Sequence, residues 1–519
     1  MIRIKPFFVL NFIVLLSFWN AHSQYDAKYP KNEFRAVWIA TVVNIDWPKA
    51  GTDSVNKQKA DFIEILETYK KLNYNAVIVQ IRSTGDAFYP SKLAPWSRYI
   101  TGKEGQAPKP YYDPLAWMIE QAHQRGFEFH AWLNPYRATF DTKTETLSKE
   151  HDFFKHRDWM IKYGETGKEK YYYNPALPEV QSHLTAVVEE VVKNYDVDAI
   201  HFDDYFYPYK VSGKEFNDAA SFKKYSYKQS LEDWRRDNVN NFVKNIYYSI
   251  KRIKPWVQFG ISPFGVWRNK SVDPKGSDTQ SGQTNYDDLY ADPIAWMEGN
   301  YIDYMLPQLY WSIDHKTASY SKLIKWWANN SINANVYIGN GSYKIKNDSD
   351  KKWFVPGEIP NQIDLTRTFP NIQGNSFYSA KAFVNINKDV ADLLKANQYK
   401  YPAIPLPVPN SKKTGTERPL INSFSKEGNL YQFAFKKTQS DQVRYIVVYI
   451  TENNTKLDSN DPSQILEKIF IDAKSESIKY SIAKDQLNNI KKVAFTFIDF
   501  YGNESVPEIV NLNTEIKQN

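Results

Sequence analysis

The 519-residue chain reads as an α/β protein: a closed (β/α)8 TIM barrel followed by a small all-β sandwich. Three observations predict this. Eight short apolar runs alternate with helical stretches between residues 34 and 400, the pattern of a parallel sheet covered on its outside. Eight such units suit a closed ring better than an open doubly wound sheet, and no glycine-rich phosphate loop follows the first run. Beyond a proline-dense stretch, 401–409 (YPAIPLPVP), the rhythm changes to short alternating strands split by polar turns.

The first strand is read over 34–43, closing in Asn44-Ile45-Asp46-Trp47-Pro48, with a helix over 54–72 behind it. The second strand, 75–81, delivers Arg82. A helix over 113–125 carries Leu115, Met118, Ile119 and Ala122 on one face and ends at Gly126, a natural C-cap. The third strand, 127–133, leads to Asn134 and Arg137. A helix over 180–195 precedes the fourth strand, 197–202, and one over 239–253 precedes the fifth, 256–262. A helical segment ending over 294–300 precedes the sixth strand, 302–308, and a helix over 320–329 the seventh, 335–338. The eighth falls within 372–379, with 387–395 as its helix. In the sandwich, strands are read at 430–435, 444–449, 468–471, 477–482 and 492–499. The expected division is 1–23 signal peptide, 24–405 barrel and 406–519 sandwich.

Residues 1–23 have the parts of an export signal: Arg3 and Lys5, a mostly apolar 6–19, and Ala21-His22-Ser23 ahead of Gln24. The apolar run is short and interrupted by Asn11, so cleavage is expected rather than a membrane anchor. The chain has no cysteine, hence no disulfide and no site for a lipid anchor on a cysteine. A periplasmic or secreted protein is expected. The formal charge of +7 is spread along the chain without an arginine-rich helix or zinc spacing, which argues against a nucleic-acid partner. Aromatic residues make up 16% of the chain, and tyrosine or tryptophan at strand ends combines apolar area with a polar tip suited to sugar rings.

The segment 197–209, VDAIHFDDYFYPY, starts as a buried strand and surfaces into two carboxylates among aromatics. In a barrel enzyme the C-terminal ends of the strands form the working face. Alternation puts Ala199, His201 and Asp203 toward the barrel interior and Ile200 and Phe202 toward the helices, and leaves the direction of Asp204 open. Asp203 is therefore the first candidate for a general acid, its carboxyl raised by apolar surroundings; the other role open to it is structural acceptor for Arg82 or Arg137. Asp204 is the second acid or an orienter of Asp203. Because glycoside hydrolysis uses two separated carboxylates, Asp314 or Asp46 from another strand end is a further candidate partner. Asn134, Gln308, Tyr310 and Asn340 suit hydroxyl or acetamido groups. Trp47, Tyr205, Tyr207, Trp267 and Trp311 are candidate stacking surfaces, with core packing the competing role for each. Asp46, Asp203, Asp204 and His201 show no metal-cage spacing, so no metal and no cofactor is expected.

This segment, together with FRAVWIATVVNIDWP, QIRSTGDAFYPS, HAWLNPYR and LPQLYWS, resembles the bacterial glycosyl-hydrolase-like family that includes the divisome-localised peptidoglycan glycosidase. The motifs run through roughly 33–400. The resemblance implies an exported hydrolase of an envelope glycan, namely peptidoglycan strands stripped of peptides and cut between N-acetylmuramic acid and N-acetylglucosamine. On that reading Arg82 and Arg137 bind the lactyl carboxylate, their alternative being burial against Asp86 and Asp203. VDAIHFDDY is also loosely similar to the fourth strand of chitinase-like enzymes, whose acid would fall at Tyr205. Residues 406–519 look like a fibronectin-type-III module, expected to act as a spacer or to dock an envelope protein. A hydrolase of another environmental or dietary polysaccharide and a non-catalytic glycan-binding protein are the competing readings.

Overall fold

The computed structural model describes residues 28–409, 411, 416–436, 443–452, 456–472, 477–487 and 490–512; the expected signal of 1–23 lies outside them. Eight parallel strands form a barrel: β1 (Phe34–Ile39), β2 (Ala76–Arg82), β3 (Glu128–Leu133), β4 (Ala199–Phe202), β5 (Gln258–Ile261), β6 (Tyr304–Met305), β7 (Asn335–Val336 and Ile338–Asn340) and β8 (Gly374–Phe377). Each pairs with its neighbour in chain order. The seventh strand is interrupted at Tyr337: its first half pairs with β6 and its second with β8, and β8 pairs with β1, so the ring closes through that break.

Alternation holds along the strands. Phe34, Ala36, Trp38, Ala76, Ile78, Trp132, Ala199, Tyr304 and Tyr337 fill the barrel interior, while Val37, Ile39, Val77, Val79, Ile200 and Phe202 pack against the helical layer. Alanines among aromatics let the interior layers interlock. Gly260 on β5 carries the same logic furthest: a Cβ there would lie 1.9 Å from the Tyr304 ring, so glycine is what admits that phenol to the barrel centre.

The helices begin where capping residues stand. Ser54, Asp113, Ser230 and Ser319 accept from the first turns of α1 (Val55–Lys71), α2 (Pro114–Gln124), the Leu231–Ile253 helix and the Tyr320–Asn329 helix. Several elements depart from the sequence expectation, among them the Ala219–Tyr225 helix. The loop after β3 contains a hairpin, Met160–Tyr163 with Lys170–Tyr173. A helix over Glu358–Arg367 lies between β7 and β8, where none was expected; Pro360 sits in its first turn, where a missing N–H is tolerated, and Ile359 and Ile363 bury its apolar side.

The C-terminal sandwich packs a three-stranded sheet (Ile421–Glu427, Leu430–Phe435, Ile478–Ala483) on a four-stranded one (Ile465–Phe470, Val443–Glu452, Ile490–Asp499, Glu508–Asn511). It adds two strands, the first and the last, to the five expected. It sits on the N-terminal ends of β3 and β4. There Arg444 pairs with Asp196 at 2.6 Å and Asp198 at 2.8 Å, and the Tyr445 hydroxyl donates to the Phe127 carbonyl. Among the described residues no helix is long and apolar enough to cross a membrane.

Candidate active site

At the opposite, C-terminal end of the strands a cleft of about 170 Å³ is lined by Trp38, Trp132, Asp203, Asp204, Tyr205, Tyr209, Ser262, Gln308, Tyr310, Tyr343 and Tyr378. The lining comes from the ends of seven strands, β1 and β3 to β8. Its walls are aromatic: Tyr310 stacks on Tyr378 with centroids 6.1 Å apart, Trp38 meets Tyr378 edge-on, and Tyr205 meets Tyr209 edge-on.

β4 ends at Phe202, so strand alternation stops before the two aspartates and both carboxylates face the cleft. Alternation alone leaves the direction of Asp204 open; the end of β4 turns it into the cleft. One oxygen of Asp203 accepts from the Trp132 indole (3.0 Å) and the Asn134 amide (3.1 Å); the other accepts from the Tyr205 backbone N–H (3.3 Å). Asn134 is oriented for this, because its carbonyl oxygen is taken by the Arg137 N–H at 3.0 Å. Burial, and then the charge of Asp204, push the Asp203 carboxyl up to about 7; Arg137 and the Trp132 and Tyr205 donors oppose them without cancelling them. Burial also raises Asp204, against the hydroxyl of Tyr209, which donates to it. A buried acid still protonated near neutrality, beside a second carboxylate, can give a proton to a leaving oxygen.

Arg137 stands just behind this pair. Its guanidinium lies 4.2 Å over the Tyr205 ring, it is 8% exposed, and among the described residues its Nε has no hydrogen-bond acceptor. Gln308 donates to the Ser262 carbonyl (2.9 Å) at the cleft floor.

Of the residues singled out from the sequence, Asp203, Asp204, Tyr205, Gln308 and Tyr310 meet in the cleft, with Asn134 and Arg137 in direct contact with its lining. The others go elsewhere. The Asp314 side chain is 69% exposed and pairs with Lys352, so it brings no second acid. Asp46 accepts from the Ala40 and Lys381 N–H groups and the Ser379 hydroxyl, tying the loops after β1 and β8 together. Arg82 is fully buried and donates to the Asp86 carbonyl and the Tyr173 hydroxyl, beneath the long loops. Asn340 is consumed by Gln362 and Asn375. Trp47 donates to the Gln58 carbonyl inside the core, Tyr207 packs between Phe216 and Tyr290, and Trp267 stacks on Trp326. Trp311 meets Phe264 edge-on, outside the cleft lining. Trp47, Tyr207 and Trp267 are buried in the core, whereas Trp311 is only partly buried. Conversely, Trp38, Trp132, Tyr209, Ser262, Tyr343 and Tyr378 line the cleft without having been singled out. The inward parity of Trp38 and Trp132, each at the top of its strand, is the signal that was available.

Residues 33–355 match the family described as Glycosyl hydrolase-like 10. The chain belongs to that family. It is similar to Glycosyl hydrolase YngK of Bacillus subtilis (strain 168), with 42% identity over 89% of this chain and 92% of the relative. It is similar also to Glycosyl hydrolase DigH of Escherichia coli (strain K12), with 38% identity over 66% of this chain and 82% of the relative. A solved structure, the PgaB (BpsB) glycoside hydrolase domain from Bordetella bronchiseptica, is 10% identical with a TM-score of 0.45, covering 70% of this chain and 99% of that one. This Glycosyl hydrolase-like 10 member is an enzyme of the glycoside-hydrolase class.

Proposed function

We propose that the enzyme hydrolyses glycosidic bonds of a polysaccharide in the aromatic cleft, with Asp203 as general acid. The observation that carries this is the raised carboxyl of Asp203, held by Trp132 and Asn134 next to a second carboxylate. Asp203 protonates the leaving glycosidic oxygen. Asp204, its orientation set by Tyr209, attacks the anomeric carbon or activates a water against it. These are the two carboxylates of the cleft lining. Tyr205, Tyr310, Tyr343 and Tyr378 offer ring faces or hydroxyls to successive sugars.

The narrower reading is that the glycan is a peptidoglycan strand, free of peptides, cut between N-acetylmuramic acid and N-acetylglucosamine by an exported enzyme. Arg137 supports it: a buried guanidinium with an idle Nε beside the cleft suits a carboxylate-bearing sugar. A neutral environmental or dietary polysaccharide is the competing substrate. On the narrower reading, residues 1–23 are the export signal, the barrel spans 24–405, and 406–519 form a fibronectin-type-III-like spacer or docking module for an envelope protein. The seven-strand, three-plus-four arrangement of the sandwich supports that description.

The test is to incubate purified protein with intact peptidoglycan, peptide-stripped peptidoglycan and neutral β-glucans, and to identify products by mass. Cleavage of the stripped strands, lost in Asp203→Asn, is the expected result. Cleavage of the neutral glycans alone would shift the substrate to the competing class. No cleavage of any of them would overturn the reading.

A further inference from the structure

A line of buried polar side chains runs up the barrel axis, outside the acid pair. The Glu128 carboxylate meets His130 Nε2 at 3.3 Å, and His130 Nδ1 meets the Tyr304 hydroxyl at 2.9 Å. The same hydroxyl meets His201 Nδ1 at 2.9 Å. His201 Nε2 in turn lies 2.9 Å from the Ser262 hydroxyl and 3.4 Å from the Trp38 indole nitrogen. His130, Tyr304 and His201 are 0% exposed and Ser262 is 1% exposed. Both groups at the upper end, Trp38 and Ser262, line the cleft.

The donor-only indole at the upper end sets the order of the protons below it. An indole N–H only donates, so His201 Nε2 is an acceptor and the proton of this imidazole is on Nδ1. Nδ1–H donates to the Tyr304 oxygen, which leaves the Tyr304 O–H to donate to His130 Nδ1. His130 then carries its proton on Nε2, facing the Glu128 carboxylate, which only accepts. Reversing the chain sets N–H against N–H at Trp38 and a lone pair against a carboxylate at Glu128. The Trp38 end decides the order: the Ser262 hydroxyl also has the Phe202 carbonyl within 3.3 Å and can serve either order, whereas the Trp38 N–H cannot accept. Burial, and then neighbouring His130, hold His201 well below the ordinary histidine range, in keeping with a neutral ring.

We propose that His201 is a positioning residue: the Glu128–His130–Tyr304 line locks it as the Nδ1–H tautomer, and its free Nε2 holds the Trp38 ring and the Ser262 hydroxyl in the cleft floor. Ser262 extends the reach by one residue, since its carbonyl accepts from Gln308, another lining side chain. Gly260, which admits the Tyr304 ring, and the paired register of Gly260 with Tyr304 are the backbone conditions for the line. That the floor so held contacts substrate rests on the cleft reading above; the tautomer does not.

Two measurements on the full chain test this. In protein labelled with ¹⁵N-histidine, the His201 ring, assigned by its loss in His201→Gln, is expected to be neutral with the proton on Nδ1, and His130 to carry a proton on Nε2. An Nε2–H or doubly protonated His201 would overturn the proposal. In Tyr304→Phe, the hydroxyl is lost while the ring volume stays. With peptide-stripped peptidoglycan as substrate, KM is expected to rise about fivefold with kcat nearly kept, as for one lost hydrogen bond. The Trp38 indole N–H should exchange faster with solvent in the same variant. Parent-like exchange of Trp38 in folded Tyr304→Phe would overturn the positioning role. An inactive parent that still shows the expected tautomers would sink the glycosidase reading and leave the lock standing.

Discussion

Asp198, its side chain 10% exposed, and the buried Asp203 bracket β4, yet their carboxyls are shifted in opposite directions. Burial pushes both up. At the N-terminal end, Asp198 meets Arg444 (2.8 Å), then His123 (2.8 Å) and the Phe129 N–H (2.7 Å), which together take it well below the usual carboxylate range. At the C-terminal end, Asp203 has three neutral donors and a carboxylate neighbour, and rises to about 7. Arg137 is near Asp203 but is turned to the Tyr205 ring. What separates a docking anchor from a candidate acid is thus the Arg444 guanidinium and His123 directly on the oxygens of one, and a second carboxylate beside the other. Burial is common to both.

That contrast breaks most visibly at Asp203. Asp203→Asn is expected to lower kcat/KM by about 10²–10⁴-fold, the scale of a lost general acid. The same variant should be the more stable one at pH 8. A folded value raised above the unfolded one means stability is present below about 4 and lost as pH rises through about 7. At roughly three units the parent carries a burden on the order of 4 kcal/mol that asparagine lacks. Urea unfolding at pH 8 and pH 4 checks this; the gap should close at the lower pH.

Arg444→Met tests the other end. It leaves Asp198 buried without its cation and should cost about 3–5 kcal/mol of stability in urea unfolding. Since the cleft is at the far end of the barrel, the folded fraction should retain parent kcat. Here the sign is opposite: with the folded value of Asp198 depressed, its stabilisation is present above about 4 and lost as pH falls below that. The variant should therefore lose much of the parent's acid sensitivity.

A subtler change sharpens the comparison. Activity that needs protonated Asp203 should decline as pH rises through about 7. Removing the neighbouring charge in Asp204→Asn should move this limb of the residual activity to lower pH, by less than about one unit, because burial is the larger cause. The smallest effect is expected from Tyr209→Phe. Losing its hydroxyl removes one donor from Asp204 and should cost only severalfold in kcat, read from initial rates.

Much of this was legible along the chain. The helix over Tyr320–Asn329 and the strand over Leu430–Phe435 coincide with their expected bounds, because periodicity and capping are local properties. The Glu358–Arg367 helix escaped because a proline and polar residues hide its apolar face. Asp314 was misplaced at the site by counting from a strand end: Tyr304–Met305 is shorter than expected, and the chain leaves the mouth before reaching it. Trp47 and Tyr207 show the same weakness, since an aromatic after a strand reads alike whether it faces the rim or the core.

By itself the sequence determined the eight-stranded barrel, the sandwich and the position of Asp203 at the head of β4, each of which follows from spacing between near neighbours. Only the tertiary structure decided that Trp132 and Asn134 hold Asp203, that Trp38 and Tyr378 close the cleft, and that Asp198 is claimed by Arg444, 246 residues away. Hydrogen bonds and charge interactions act through space over a few ångströms, and the chain brings those partners together only when the barrel closes and the sandwich docks.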